Sequence, residues 1–116
     1  ILKLYKEGLA GLDGIRVVEP PKHSKSNHIP FRVVIMCEKG AEELASHFSK
    51  NEIEARSVFY PLHKQPCYQK KFINKDEDFK TSLKVYEFGL CLPSYPALEE
   101  NKINFICDTI KEFLSK

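Results

Sequence analysis

Ile53-Glu54-Ala55-Arg56-Ser57-Val58-Phe59-Tyr60-Pro61-Leu62-His63-Lys64-Gln65-Pro66-Cys67-Tyr68 is the stretch on which a reading of this chain turns. Ile53, Ala55, Ser57 and Phe59 alternate with Glu54 and Arg56. That is the period of a strand with one wet face. The pattern runs directly into a loop braced by Pro61 and Pro66. The loop gathers aromatic rings, a histidine and a thiol, with an arginine just before it. Loops held by a rigid scaffold are where binding groups concentrate. A second segment, Leu90-Cys91-Leu92-Pro93-Ser94-Tyr95-Pro96-Ala97-Leu98, has the same character.

Upstream of the first segment, Ala41, Leu44, Ala45 and Phe48 recur at the spacing of a short amphipathic helix. Glu42 and Glu43 fall in its first turn and Lys50 in its last, as the helix dipole favours. Asn51 suits a left-handed terminator. Phe31 to Cys37 is an apolar run with one charge, Arg32, and reads as a central strand covered on both faces. Earlier still, Ile1, Leu2, Leu4, Tyr5, Leu9 and Leu12 predict a helix over Ile1 to Leu12, stopped by Gly11 and Gly14. Ile15 to Glu19 predicts a short strand closed by Pro20-Pro21, and Lys22 to His28 a polar loop.

Downstream, Tyr68 to Lys80 has no period and reads as loop with a helical turn. Thr81 to Phe88 predicts a short helix ended by Gly89, and Leu90 to Leu92 a brief strand. Glu99 to Leu114 is the clearest helix, with Ile103, Ile106, Ile110, Phe113 and Leu114 as its apolar stripe. The order predicts an α+β domain, a small, mainly antiparallel sheet with helices packed on it, over residues 1–116.

The chain has 116 residues, 42% of them hydrophobic and 29% charged, which fits one globular domain. A net charge of +2 is too small to argue for a nucleic-acid surface. The exception to its scattered charge is Lys64 to Lys75, where Lys64, Lys70, Lys71 and Lys75 meet no carboxylate. That segment reads as a solvated loop or, alternatively, a contact for a diphosphate. No run of about 18 apolar residues predicts a membrane span, and no signal peptide is visible. Ile1 begins inside a helical pattern, which suggests a domain of a longer polypeptide or a processed product.

None of the four cysteines, Cys37, Cys67, Cys91 and Cys107, has metal-clasp spacing, and three lie in apolar surroundings. A reduced, cytoplasmic setting fits this better than a disulfide framework. No phosphate loop, dinucleotide fingerprint or nucleophile elbow is present. His63 and Cys67 lie close in sequence, but a nucleophilic pair needs an orienting third group and zinc needs more ligands. His63 is therefore either a loop histidine bonding backbone groups or a pocket-wall residue contacting a polar substrate. Tyr60 is a ring that is half core and half hydrogen-bond donor. Arg56 could hold a carboxylate or phosphate, or simply a surface glutamate. His23, His28 and His47 show no partner pattern.

Taken together, these segments resemble a known family. Leu4-Tyr5, Leu9, Leu12 and Gly14-Ile15 look like its entry helix and strand, and His28-Ile29-Pro30-Phe31-Arg32-Val33-Val34-Ile35 like its central strand. The Ile53–Tyr68 and Leu90–Leu98 segments match its C-terminal motifs. The family is the DegT/DnrJ/StrS nucleotide-sugar aminotransferases, which use pyridoxal phosphate. The resemblance is to the C-terminal small domain alone, over essentially the whole chain. It departs from the family where Glu52 precedes Ile53 in place of glycine, and where Glu99-Glu100 follow Leu98 in place of a Ser or Thr cap.

The resemblance implies a larger domain elsewhere in the polypeptide, which supplies the Schiff-base lysine and holds pyridoxal phosphate. The present chain is then expected to need no cofactor alone and to be inactive alone. It implies nucleotide-sugar and amino-donor substrates, and a homodimer for full enzymes. It also implies that Tyr60 and His63, and less directly Arg56, face the substrate and orient it. The rival readings are a non-catalytic remnant that serves as an interaction module and a ligand-binding domain that keeps the sugar pocket.

Overall fold

Four strands make one sheet, in the spatial order β1 (Ile15–Val17), β2 (Val33–Cys37), β4 (Gly89–Leu92), β3 (Arg56–Ser57). The computed structural model describes residues 1–20, 28–69 and 76–116. Every neighbouring pair of strands is antiparallel, with Ile35 opposite Val17 on one side and Leu90 on the other. The expected polar loop therefore lies outside the described residues except at His28, and so do Lys70, Lys71 and Lys75.

Val33, Ile35 and Cys37 alternate with less buried neighbours along β2, and with Leu90 and Leu92 they form the sheet's contribution to the core. Helix α1 (Leu2–Gly8) adds Tyr5, α2 (Ala41–Lys50) adds Leu44 and Phe48, and α5 (Glu100–Ser115) adds Ile103, Ile106, Cys107 and Ile110. These helices belong to one contiguous apolar cluster. Truncating a fully buried ring such as Phe48 costs about 3–5 kcal/mol. The α+β class with an antiparallel sheet is thus as expected. So are the helices at Ala41–Lys50 and, within a residue at each end, Glu99–Leu114.

Helices α1 and α5 approach closely. A Cβ built on Gly8 would lie 2.7 Å from Cys107 Sγ, so this contact requires glycine. Two polar ties run between elements distant in sequence. The Tyr5 hydroxyl donates to the Pro93 carbonyl at 2.8 Å, joining α1 to the segment after β4. Lys39 Nζ donates to the Leu114 carbonyl at 2.9 Å, capping the C-terminal turn of α5.

Helix α1 ends at Gly8, short of the expected Leu12, and three further expectations need correction. The left-handed turn after α2 falls on Glu52 (φ 58°), while Asn51 stays at φ −105° and donates from Nδ2 to the His47 carbonyl. The position where the family carries glycine is thus the one that adopts the conformation glycine favours. Second, the strand read over Ile53 to Phe59 is only Arg56–Ser57. It pairs with Cys91 and Leu90, and continuing its register would set Glu54 against Pro93, which has no N–H to donate. Third, Phe31 and Arg32 lie outside β2, and Phe31 is 85% exposed.

The long connection after β3 is more structured than its composition suggests. It holds a 3-10 turn at Leu62–Lys64, a one-turn helix α3 (Pro66–Gln69), and a second 3-10 turn at Asp76–Phe79 leading into α4 (Lys80–Phe88).

Candidate functional site

β3 is an edge strand, and the chain leaves it toward solvent. Phe59 is 90% exposed and Tyr60 46%. Tyr60 is not loose: its ring meets that of Tyr86, on α4, edge-on at 5.1 Å with the planes at 85°. Edge-to-face geometry is the favoured one for two aromatic rings. The face of the Tyr60 ring and its hydroxyl therefore stand on a support rather than in the core.

His63 has a different setting. Its side chain is 3% exposed. The imidazole stacks on Phe79 at 4.5 Å, 16° from parallel, and Nε2 lies 3.2 Å from Asp76 Oδ1. Lys64 Nζ donates to the other carboxylate oxygen, Oδ2, at 2.6 Å. The Lys64 bond is the first cause that holds the Asp76 carboxyl below the usual aspartate range. An ionised carboxylate only accepts hydrogen bonds, so Nε2 carries the proton. Among the described residues His63 Nε2 meets a side chain, and Lys64 does meet a carboxylate. Neither Asp76 nor Phe79 stood out in the sequence. The one signal for them is that the acidic run Asp76-Glu77-Asp78 directly follows the basic segment.

Arg56 sits apart from both. Its Nη2 donates to Glu54 Oε1 at 2.7 Å, with both side chains well exposed. Arg56 and Glu54 line a groove of about 960 Å3 with Phe31, Cys91, Tyr95 and Phe105. The groove joins the start of the first motif segment to the second, but neither Tyr60 nor His63 lines it. Within this chain the three candidate residues thus occupy one loop and one groove rather than a single cavity.

Cys37, Cys91 and Cys107 are buried, Cys67 is exposed, and none is in a disulfide. Burial is the first cause that pushes the Cys37 and Cys107 thiols up, as expected of inert core cysteines. Among the described residues no group of three or more His, Cys, Asp and Glu gathers as metal ligands. His28 is exposed, and His47 packs against Phe113 at 5.5 Å. No helix among the described residues is long and apolar enough to cross a membrane.

The resemblance implies pyridoxal phosphate, and the described residues do not fit it. A Schiff-base lysine works from a desolvated pocket, and no described lysine is buried. What the described chain presents at this edge is exposed rings and a guanidinium on a small α+β scaffold.

Comparisons with known proteins agree with the α+β scaffold. GDP-perosamine synthase of Escherichia coli O157:H7 is 32% identical over 99% of this chain and 30% of its own length. EpsN of Bacillus subtilis, described as a putative pyridoxal phosphate-dependent aminotransferase, is 26% identical over 88% of this chain and 26% of its own length. The crystal structure of DesV from S. venezuelae superposes with a TM-score of 0.85 over 99% of this chain and 30% of that one, at 23% identity. Residues 1–111 match the DegT/DnrJ/EryC1/StrS aminotransferase family, and the chain belongs to it. It spans less than a third of the length of these relatives.

Proposed function

We propose that this chain is the C-terminal small domain of a pyridoxal-phosphate-dependent aminotransferase acting on keto-sugar nucleotides. It closes over an active site whose chemical half lies in the rest of the polypeptide. The observation that carries the reading is the family match along 1–111, on a chain that spans 30% of a sugar-nucleotide relative. A match of that extent favours the reading over a non-catalytic remnant. In the whole enzyme the cofactor supplies the electron sink for moving an amino group from a donor, glutamate, to the sugar's keto carbon.

This chain's own groups bind and orient. Arg56 presents a planar fork suited to a carboxylate or phosphate. Its bond to Glu54 is an exposed ion pair of the kind worth about 0–1 kcal/mol, so exchanging that glutamate for a substrate anion costs little. Tyr60 presents a ring and a hydroxyl to the sugar. His63 stands behind it in the same loop. Cytoplasmic placement and a homodimer belong to the same proposal.

The test uses the full-length polypeptide that contains this chain. It is supplied with pyridoxal phosphate, glutamate and a panel of keto-sugar nucleotides, and 2-oxoglutarate is measured. The expected result is at most one equivalent of 2-oxoglutarate per enzyme without sugar nucleotide, and continued turnover only when a sugar nucleotide accepts the amino group. Arg56→Ala should raise KM about tenfold, the loss of one charge-assisted contact. No amino transfer with any sugar nucleotide in the panel would refute the reading.

A further inference from the structure

His63 is the candidate residue that this structure constrains most tightly, and its constraints point inward. One ring nitrogen is bound to Asp76, one ring face lies on Phe79, and the side chain is 3% exposed. A substrate contact through Nε2 would have to displace the carboxylate and draw the ring out of its stack. We propose that His63 is a positioning residue: with Asp76 and Phe79 it forms a clasp that holds the Tyr60 loop to the turn before α4 and so fixes the aim of Tyr60. This rests on the preceding reading only in taking Tyr60 as the group aimed at substrate.

The connectivity explains why a clasp is needed. His63 lies in the 3-10 turn Leu62–Lys64, and Asp76 and Phe79 lie in the turn Asp76–Phe79. Bringing two such turns together across an intervening stretch of chain costs loop-closure entropy. Three contacts offset it: the stacked ring, the Nε2 bond, and the Lys64 bond to the other carboxylate oxygen. Adjacent residues of one turn bind the two oxygens of one carboxylate, which fixes its rotation as well as its place. The second turn continues directly into α4, where Tyr86 supports the Tyr60 ring. The clasp and the Tyr60–Tyr86 contact are therefore two rivets joining the same pair of segments. Loss of the first leaves the ring contact with Tyr86 to hold Tyr60 to α4.

The experiment is NMR on this chain, comparing wild type with Asp76→Ala and Asp76→Asn. Long-range nitrogen-proton spectra report the His63 tautomer, and the NOE between the Tyr60 and Tyr86 rings reports the aim of Tyr60. Amide exchange reports the turns through the bonds from Lys64 N to Pro61 O, Gln65 N to Leu62 O and Tyr68 N to Gln65 O. Wild type should show the Nε2–H tautomer alone. Asp76→Ala should mix the tautomers, weaken the NOE and speed those amides about tenfold, while Ile35 and Leu90 in the sheet stay as they were.

Asp76→Asn keeps one acceptor oxygen, for which Nε2–H and Lys64 Nζ compete, and puts an NH2 donor in place of the other, so its tautomer mix, NOE and protection should fall between those of wild type and Asp76→Ala. Unchanged exchange and NOE in Asp76→Ala, or a wild-type ring protonated on Nδ1 and not on Nε2, would overturn the proposal. In the full-length polypeptide, Asp76→Ala should raise KM for the sugar nucleotide about tenfold with little change in kcat. An equal loss in kcat alone would overturn it too. Should that polypeptide transfer no amino group, the enzymatic reading falls, and the clasp is judged on the NMR results.

Discussion

Tyr5→Phe separates two roles of one hydroxyl. Tyr5 is fully buried, and its hydroxyl donates to the Pro93 carbonyl, the tie between α1 and the second motif segment. Removing the hydroxyl deletes one hydrogen bond and leaves a half-buried carbonyl without that donor, a cost of about 1–2 kcal/mol at neutral pH. The same burial, together with the fields of Cys107 and Tyr95, pushes the Tyr5 phenol far above its ordinary value. A raised folded value means stability that is complete below the unfolded tyrosine value, about 10, and is lost as pH rises toward the folded one. Above about pH 10 only the unfolded chain ionises this group, and wild type loses up to about 1.4 kcal/mol per pH unit from it. The Tyr5→Phe variant has no such loss. Its deficit should therefore shrink from about 1–2 kcal/mol near pH 7 to close to zero near pH 11. Urea unfolding of both chains, followed by far-UV circular dichroism across that range, measures the difference. A deficit that stays constant through the alkaline range, or none at neutral pH, would refute the reasoning.

Glu52→Gly should stabilise the chain by about 0.5–1 kcal/mol, because relief of the left-handed strain exceeds the added freedom of the unfolded state; urea midpoints report it. Gly8→Ala should destabilise by about 1–3 kcal/mol through overpacking on Cys107 and become near neutral in a Cys107→Ala background, so a double-mutant cycle reads the contact directly. The Asp76 carboxyl is held low chiefly by the Lys64 hydrogen bond, with His63 contributing, so its contribution is present above the unfolded aspartate value, about 3.9, and lost as pH falls through the lower folded one. Exchange at the Lys64 and Gln65 amides, corrected for intrinsic rate, should therefore rise on acidification before the sheet amides change.

Helix periods were the most readable part of the chain. Ala41, Leu44 and Phe48, and Ile103, Ile106 and Ile110, each place one stripe toward the core, and all six are buried. Strand lengths were less readable, because a strand's extent depends on its partner. Alternation from Ile53 to Phe59 describes an extended chain, but Pro93 on the facing segment ends the ladder. The strand order, with β4 between β2 and β3, has no local signal at all. At the candidate site, Tyr60 is about half exposed, in keeping with a ring that is half core and half hydrogen-bond donor. The burial of His63 depends on Asp76 and Phe79, which meet it only after the chain has turned back. A residue's neighbours in sequence do not reveal such a partner. An acidic run after a basic one is the nearest hint.

On the proposed function, this chain is one wall of an aminotransferase site, and the cofactor-binding half lies elsewhere in the polypeptide. The most direct measurement mixes this chain with pyridoxal phosphate, reduces with borohydride and maps modified lysines by peptide mass spectrometry, with the full-length polypeptide run in parallel. The account predicts scattered, substoichiometric labelling of this chain, and one stoichiometric lysine, outside these 116 residues, in the full-length polypeptide. A single stoichiometric adduct on a lysine of this chain would contradict it.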